Sequence, residues 1–284
     1  MSADDQREDT TDAASVDVDD LVRSGVELLE ATLPVRAEVP LRQAALLGSP
    51  LAVFNLGCAL AQQGRWDEAL ALFGEAAAAD VDGAWLHVGH VLRELGEPEA
   101  AEDAYRHAAD SGDLDGLVEL AFLMRERGEQ YQAIRLAEVA ADAGNPLATA
   151  VLATWRWDDT HDVALEATLR EGADVYESAR TALSHLLRAT GRITEARELL
   201  EAGTRLNEEG AWLPLGNLLL YEFDDPQAAE LAYRGGIAAG DAYSHHNLAR
   251  LLEARGKREQ AIQHYQAGAA RGDELAAAAL KRIT

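Results

Sequence analysis

The sequence predicts an all-α solenoid, and three observations carry the prediction. A small residue directly follows a Leu or Val seven times at near-constant spacing: Gly57, Gly89, Ala121, Ala153, Ser184, Gly216 and Ala249 stand 32, 32, 32, 31, 32 and 33 residues apart. A column of alanines keeps the same time, at Ala69, Ala101, Ala133, Ala164, Ala196, Ala229 and Ala261. Glycines punctuate the chain at two places in most periods. A period of this size marks units that cannot bury their own apolar face and therefore stack on their neighbours into one core.

Each unit resolves into two helices. In the first complete unit Pro50 sits at a helix start, where its missing N–H costs nothing. Val53, Leu56, Gly57 and Leu60 then recur with the spacing of one helical face. Gly64 ends that helix, and Asp67 is the expected N-cap of the second. Ala69, Leu72, Phe73 and Ala76 repeat the pattern until the chain breaks near Asp80. Small side chains at positions 57 and 69 let the two antiparallel helices approach closely.

The inner turn carries Gly64, Gly96, Gly128, Gly191 and Gly256. Acidic segments replace that glycine twice, around Asp158–Asp162 and around Phe223–Pro226; Asp158–Asp159 and Asp224–Asp225 read there as turn and cap residues. Breaks between units fall at Gly112, Gly144, Gly210, Gly240 and Gly272, usually followed by Asp or Asn: a helix stop, then a cap.

The ends are atypical. Val18–Leu33 and Leu41–Leu47 read as a degenerate leading pair joined by a long Pro34–Pro40 connection, and Asp273–Thr284 as a lone closing helix. Residues 1–16 are polar and acidic without apolar periodicity and are expected to be a disordered tail, leaving 17–284 as the solenoid.

Composition narrows the function. A net charge of −25 over 284 residues opposes nucleic acid and anionic membranes as partners. The absence of a leader-like or spanning apolar run, with Cys58 as the lone cysteine, points to a cytoplasmic protein without disulfides. His87 with His90, and His245 with His246, lack further ligands at metal spacing, so no metal is expected. No phosphate-binding loop or nucleophile constellation stands out, so neither a cofactor nor an enzymatic role is expected.

Trp85, Val88, Gly89, Leu92, Gly96, Ala101, Tyr105 and Ala108 resemble the tetratricopeptide repeat motif. The segments AADSGD (108–113), AADAGNPLA (140–148) and AAGDAYSHHNLA (238–249) are similar to junctions of the related Sel1-like repeats. The resemblance covers about residues 17–284. It departs from the family in its short period and in Gly-Asp where a proline often closes the unit. It implies a right-handed α-solenoid of about seven helix pairs, with the leading pair and the closing helix added. It also implies a non-catalytic scaffold that binds a protein or peptide in a concave groove lined by the first helices.

Stepping by the period along that face gives one column through Cys58, His90, Phe122, Thr154, His185, Asn217 and Arg250. A second runs one turn later through Ala61, Arg93, Arg125, Trp157, Arg188, Leu220 and Glu253, with Tyr221, Tyr243 and His246 on or beside the same face. Arg93, Arg125 and Arg188 could clamp an acidic or carboxylate-ended peptide. They could equally serve the helix C-termini where they sit, or neutralise neighbours such as Glu94 and Glu126. Three further expectations stay open. A basic partner could use the acidic outer faces, and the acidic tail could compete for the arginines. The chain, a monomer or weak homo-oligomer, could also self-assemble through terminal or convex helices.

Overall fold

The computed structural model describes residues 17–284; the expected tail, residues 1–16, lies outside the described residues. Among the described residues there are seventeen α-helices, one short 3-10 turn and no strand, an all-α repeat solenoid. The chain divides into two compact units between Ala133 and Ile134.

The first unit holds α1 (Val18–Glu30), α2 (Pro34–Leu46), α3 (Pro50–Ala61), α4 (Trp66–Ala78), α5 (Ala84–Glu94), α6 (Pro98–Asp110) and α7 (Leu114–Glu126), and it ends within α8 (Gln130–Asp142). The second holds α9 (Pro146–Thr160), α10 (Glu166–Gly172), α11 (Glu177–Ala189), α12 (Ile193–Arg205), α13 (Glu209–Tyr221), α14 (Pro226–Ala239), α15 (Tyr243–Ala254), α16 (Arg258–Ala269) and α17 (Glu274–Ile283).

The repeat column has a steric origin. In four units the glycine of the first helix seats a large side chain from the second: Leu41 over Gly25, Phe73 over Gly57, Tyr105 over Gly89 and Tyr233 over Gly216. A Cβ at Gly89 would lie 2.3 Å from the Tyr105 ring. The seated side chains are fully buried and anchor each unit's core. The five inner-turn glycines all adopt positive φ, a conformation that L side chains resist.

Several expectations are corrected. Pro34–Pro40 is no linker: α2 begins at Pro34 and runs through Pro40, because burying Ala37, Leu41 and Ala44 outweighs one lost backbone hydrogen bond. Arg65, not Asp67, stands at the N-cap of α4; Asp67 lies in the first turn, where its charge suits the helix dipole. Gly210 lies inside α13, and the break before it is made by Asn207 at φ 59°. Asp158 and Asp159 remain helical in α9, whose stop is His161 in the left-handed region, while Asp162 caps the 3-10 turn Val163–Leu165. Ala164 is exposed in that turn, and Leu169 supplies the buried contact instead.

A longer period overlies the 32-residue one. Glu38, Glu102, Glu166 and Glu230, each on a second helix and 64 residues apart, each hold two arginines. One is four residues on, at Arg42, Arg106, Arg170 and Arg234; the other is at or beside the next inner turn, at Arg65, Arg127, Arg192 and Arg255. In the first triad Arg42 lies 2.6 Å and Arg65 2.9 Å from Glu38. Each triad ties one repeat to the next.

Candidate binding surface

In the first unit, α5 presents His90 and Arg93 one turn apart, both exposed, and α7 carries Phe122 and Arg125, half-buried. Arg93 is committed: it lies 3.3 Å from Glu119 on α7 and 3.0 Å from Glu126. His90 Nε2 is 3.5 Å from the other Glu119 oxygen. Behind them runs an aromatic series, with Phe54 4.9 Å from His87, His87 5.9 Å from His90 and His90 5.7 Å from Tyr105 between ring centres. His87 Nδ1 lies 3.0 Å from the Gly83 carbonyl, and burial lowers the pKa of its ring. His87, His90, Arg93, Tyr105 and Glu119 line a hollow of about 570 Å³ that also touches Trp66 and Glu94.

In the second unit the expected face is partly dismantled. Trp157 does not line it; the indole is 3% exposed and packs in the core with Leu169, Leu183 and Leu187, filling room left by the seven-residue α10. His185 and Arg188 are exposed on α11, and Arg188 Nε donates to Glu222 at 2.9 Å. Asn217 accepts from the Tyr233 hydroxyl at 2.9 Å. Tyr221 and Tyr243 stand 57% and 61% exposed.

At the end of this unit a hollow of about 710 Å³ is lined by His246, Arg250, Glu253, Tyr265, Leu275 and Arg282. Glu253 receives Arg282 at 2.6 Å and the Tyr265 hydroxyl at 3.0 Å, and the guanidinium holds its carboxyl below the usual range. Arg250 is exposed and forms no ion pair among the described residues.

The two hollows occupy equivalent places five repeats apart, since His90, Arg93, Glu94 and Tyr105 correspond to Arg250, Glu253, Ala254 and Tyr265. Their charges are inverted. The first is lined by Arg93 against Glu94 and Glu119, the second by Arg250 and Arg282 against Glu253. The sequence columns omit Glu119 and Arg282; Glu119 lies one turn before Phe122 on the same face, and extending that face would have found it.

Other chemistry is thin. Burial pushes the Cys58 thiol up to about 11, away from the reactive thiolate. Among the described residues no group of three or more His, Cys, Asp or Glu could hold a metal ion, and no helix is long and apolar enough to cross a membrane.

Paired helices, glycine seats and exposed polar and aromatic groups on the first helices define a helical-repeat protein. Family models described as tetratricopeptide repeat match residues 54–115, 178–202 and 244–277. The fold is similar to that of a protective antigen of uropathogenic Escherichia coli strains displaying an SLR fold, at 20% identity and a TM-score of 0.56 over 93% of this chain and 63% of that one. It is similar to the APC/C hetero-tetramer Cut9–Hcn1 at 16% identity and TM-score 0.66, over 93% of this chain and 55% of that one. A Sel1 repeat protein from Oxalobacter formigenes gives 19% identity and TM-score 0.56, over 95% and 88%. The chain thus spans less than two thirds of the first two. No curated protein matches it. The chain thus carries stretches that match tetratricopeptide-repeat models, and its fold is similar to that of solved tetratricopeptide- and Sel1-repeat solenoids. Repeat folds of this class generally mediate protein–protein interaction and are typically non-catalytic.

Proposed function

We propose that the chain is a non-catalytic adaptor that takes up a segment of a protein partner on the first-helix face of its repeats. The observation that carries this reading is Arg250. Most arginines of this acidic chain are bound to its own carboxylates, yet Arg250 is exposed, without an ion pair among the described residues, in a hollow with His246 and Tyr265. A guanidinium so placed suits a carboxylate of the partner, and the exposed Tyr221 and Tyr243 add low-entropy aromatic contact area.

A second reading is self-assembly, favoured by one surface: Val35, Val39 and Leu46 form a helical stripe on α2, at 66%, 70% and 88% exposure. One experiment separates the two. Wild type and Arg250→Glu are compared for capture of partners from native lysate, and both are sedimented over a range of concentration. The adaptor reading expects specific partners to be lost from the variant with unchanged helicity. Identical capture by both proteins overturns groove use, and mass rising with concentration in place of capture establishes self-assembly.

A further inference from the structure

We infer that two copies of this chain pair through α2, laid antiparallel across a two-fold axis, by means of the exposed stripe Val35, Val39 and Leu46. The inference rests on the self-assembly reading and gives it a contact, while leaving the first-helix face open to a partner. At about 3.6 residues per turn, Val35, Val39, Arg42 and Leu46 fall within roughly 60° of one another around α2, opposite the buried Ala37, Leu41 and Ala44. Leu47 at the end of α2 and Leu51 in the first turn of α3 add exposed apolar surface at the same end.

The repeats supply their own comparison. Stepping by 64 residues from Val35, Val39 and Leu46 reaches Glu99, Asp103 and Asp110 on α6. The equivalent places on α12 hold Thr194, Glu198 and Arg205, and all six of these residues are exposed. Those faces are built for water, and the α2 face is not.

Charge decides what covers it. From Leu33 to Gly64 the chain carries Arg36, Glu38 and Arg42 as its only charged residues, a net of +1 within a chain of −25. Two acidic molecules repel wherever their carboxylates meet, so this stretch is where they approach with least repulsion. A basic partner would find one carboxylate there, Glu38, already held by Arg42 at 2.6 Å and by Arg65 at 2.9 Å. Residues 1–16 offer Met1 and Val16 as their large apolar side chains, too few to cover the stripe.

The stripe is also self-complementary. Its intervals of 4, 3 and 4 residues, from Val35 through Val39 and Arg42 to Leu46, read the same in both directions. An antiparallel pair therefore sets Val35 against Leu46 of the second copy and Val39 against its Arg42. The Arg42 stem covers Val39 while its guanidinium stays on Glu38 of its own chain. Burying the five apolar side chains on both copies removes on the order of 1,000 Å² from water, the threshold for a specific interface.

The test is sedimentation of the full chain from low to high micromolar concentration. Wild type is expected to approach the mass of a dimer. Val39→Arg sets a second guanidinium against that of Arg42 across the axis, and is expected to weaken the dimer by roughly tenfold or more with unchanged helicity. Leu231→Arg is the control: Leu231 is 70% exposed, as Val39 is, and holds the equivalent place on α14. It is expected to leave the dimer intact. Register is tested in a Cys58→Ser background by oxidising a mixture of chains carrying Val35→Cys and chains carrying Leu46→Cys. Disulfides are expected between unlike chains. Cross-links mainly between like chains overturn the antiparallel pair, as do equal losses in Val39→Arg and Leu231→Arg. A dimer indifferent to Val39→Arg overturns the inference and leaves self-assembly standing through another surface. A monomer at every concentration overturns both, and the adaptor reading is then judged on Arg250→Glu alone.

Discussion

His245 Nδ1 and His264 Nδ1 lie 3.1 Å apart across the α15–α16 pair. Such a contact needs one ring to donate and the other to accept, so it exists only while at least one ring is neutral. His245 also faces Arg271 and Asp241; His264 also faces Arg234 and Glu230. Burial lowers the pKa of both rings below 6.5.

The sign follows from linkage. The unfolded chain takes up protons on these rings before the folded chain does, so stability is fully present above about pH 6.5 and is lost as pH falls below it. His87 and His246, also lowered by burial, add to the same trend. Thermal unfolding at pH 7.5 and 5.5 is expected to show a loss. His264→Gln, whose amide donates and accepts without titrating, should reduce that loss by about 0.5–1.5 kcal/mol, the net worth of one hydrogen bond. A variant with the wild-type pH dependence would remove the pair as its source.

Two glycines are expected to respond to the same substitution in opposite directions. Gly89→Ala places a methyl group 2.3 Å from the Tyr105 ring and should cost about 1–3 kcal/mol as overpacking. Gly74→Ala meets nothing within 4 Å on an exposed turn of α4 and should gain about 0.5–1 kcal/mol from helix propensity. Urea unfolding of both variants measures the contrast. Equal signs would contradict the seating of Tyr105 on Gly89.

Glu102→Ala removes the carboxylate shared by Arg106 and Arg127, a side chain only 10% exposed. The expected loss is about 1.5–3 kcal/mol, in the range of hydrogen bonds to charged groups. Glu75→Ala, on an exposed face of α4, should stay within about 0.5 kcal/mol of wild type. Chemical denaturation of the two variants checks the difference.

Much of the fold was legible because its determinants are local and periodic. The small-residue column reflects ring seating at Gly57, Gly89 and Gly216, and the inner-turn glycines reflect positive φ; each leaves its mark on residue type at a fixed place. The misreadings occur where local rules compete with packing. Pro40 signals a break, but the buried neighbours Ala37 and Leu41 keep the helix going. Gly210 resembles a stop, while Asn207, which also tolerates the left-handed region, had already ended the preceding helix. The surface was less legible. Spacing puts Trp157 on the same face as Arg93 and Arg188, whereas its burial comes from tertiary packing with Leu169 of the short α10 and with Leu183 and Leu187 of α11. Which carboxylate meets Arg93 depends on the approach of α7, a tertiary relation that a single-helix face does not encode.

The glutamate triads give the chain a parity. A carboxylate belongs to every second repeat and one of its arginines to the repeat that follows, so neighbouring repeats are not interchangeable. Inserting or deleting a single repeat inside a triad would part the carboxylate from its second arginine and put two carboxylate-bearing repeats or two arginine-bearing ones side by side. Lengthening or shortening by 64 residues preserves every match. For engineering or descent alike, the natural currency of this chain is the couple of repeats.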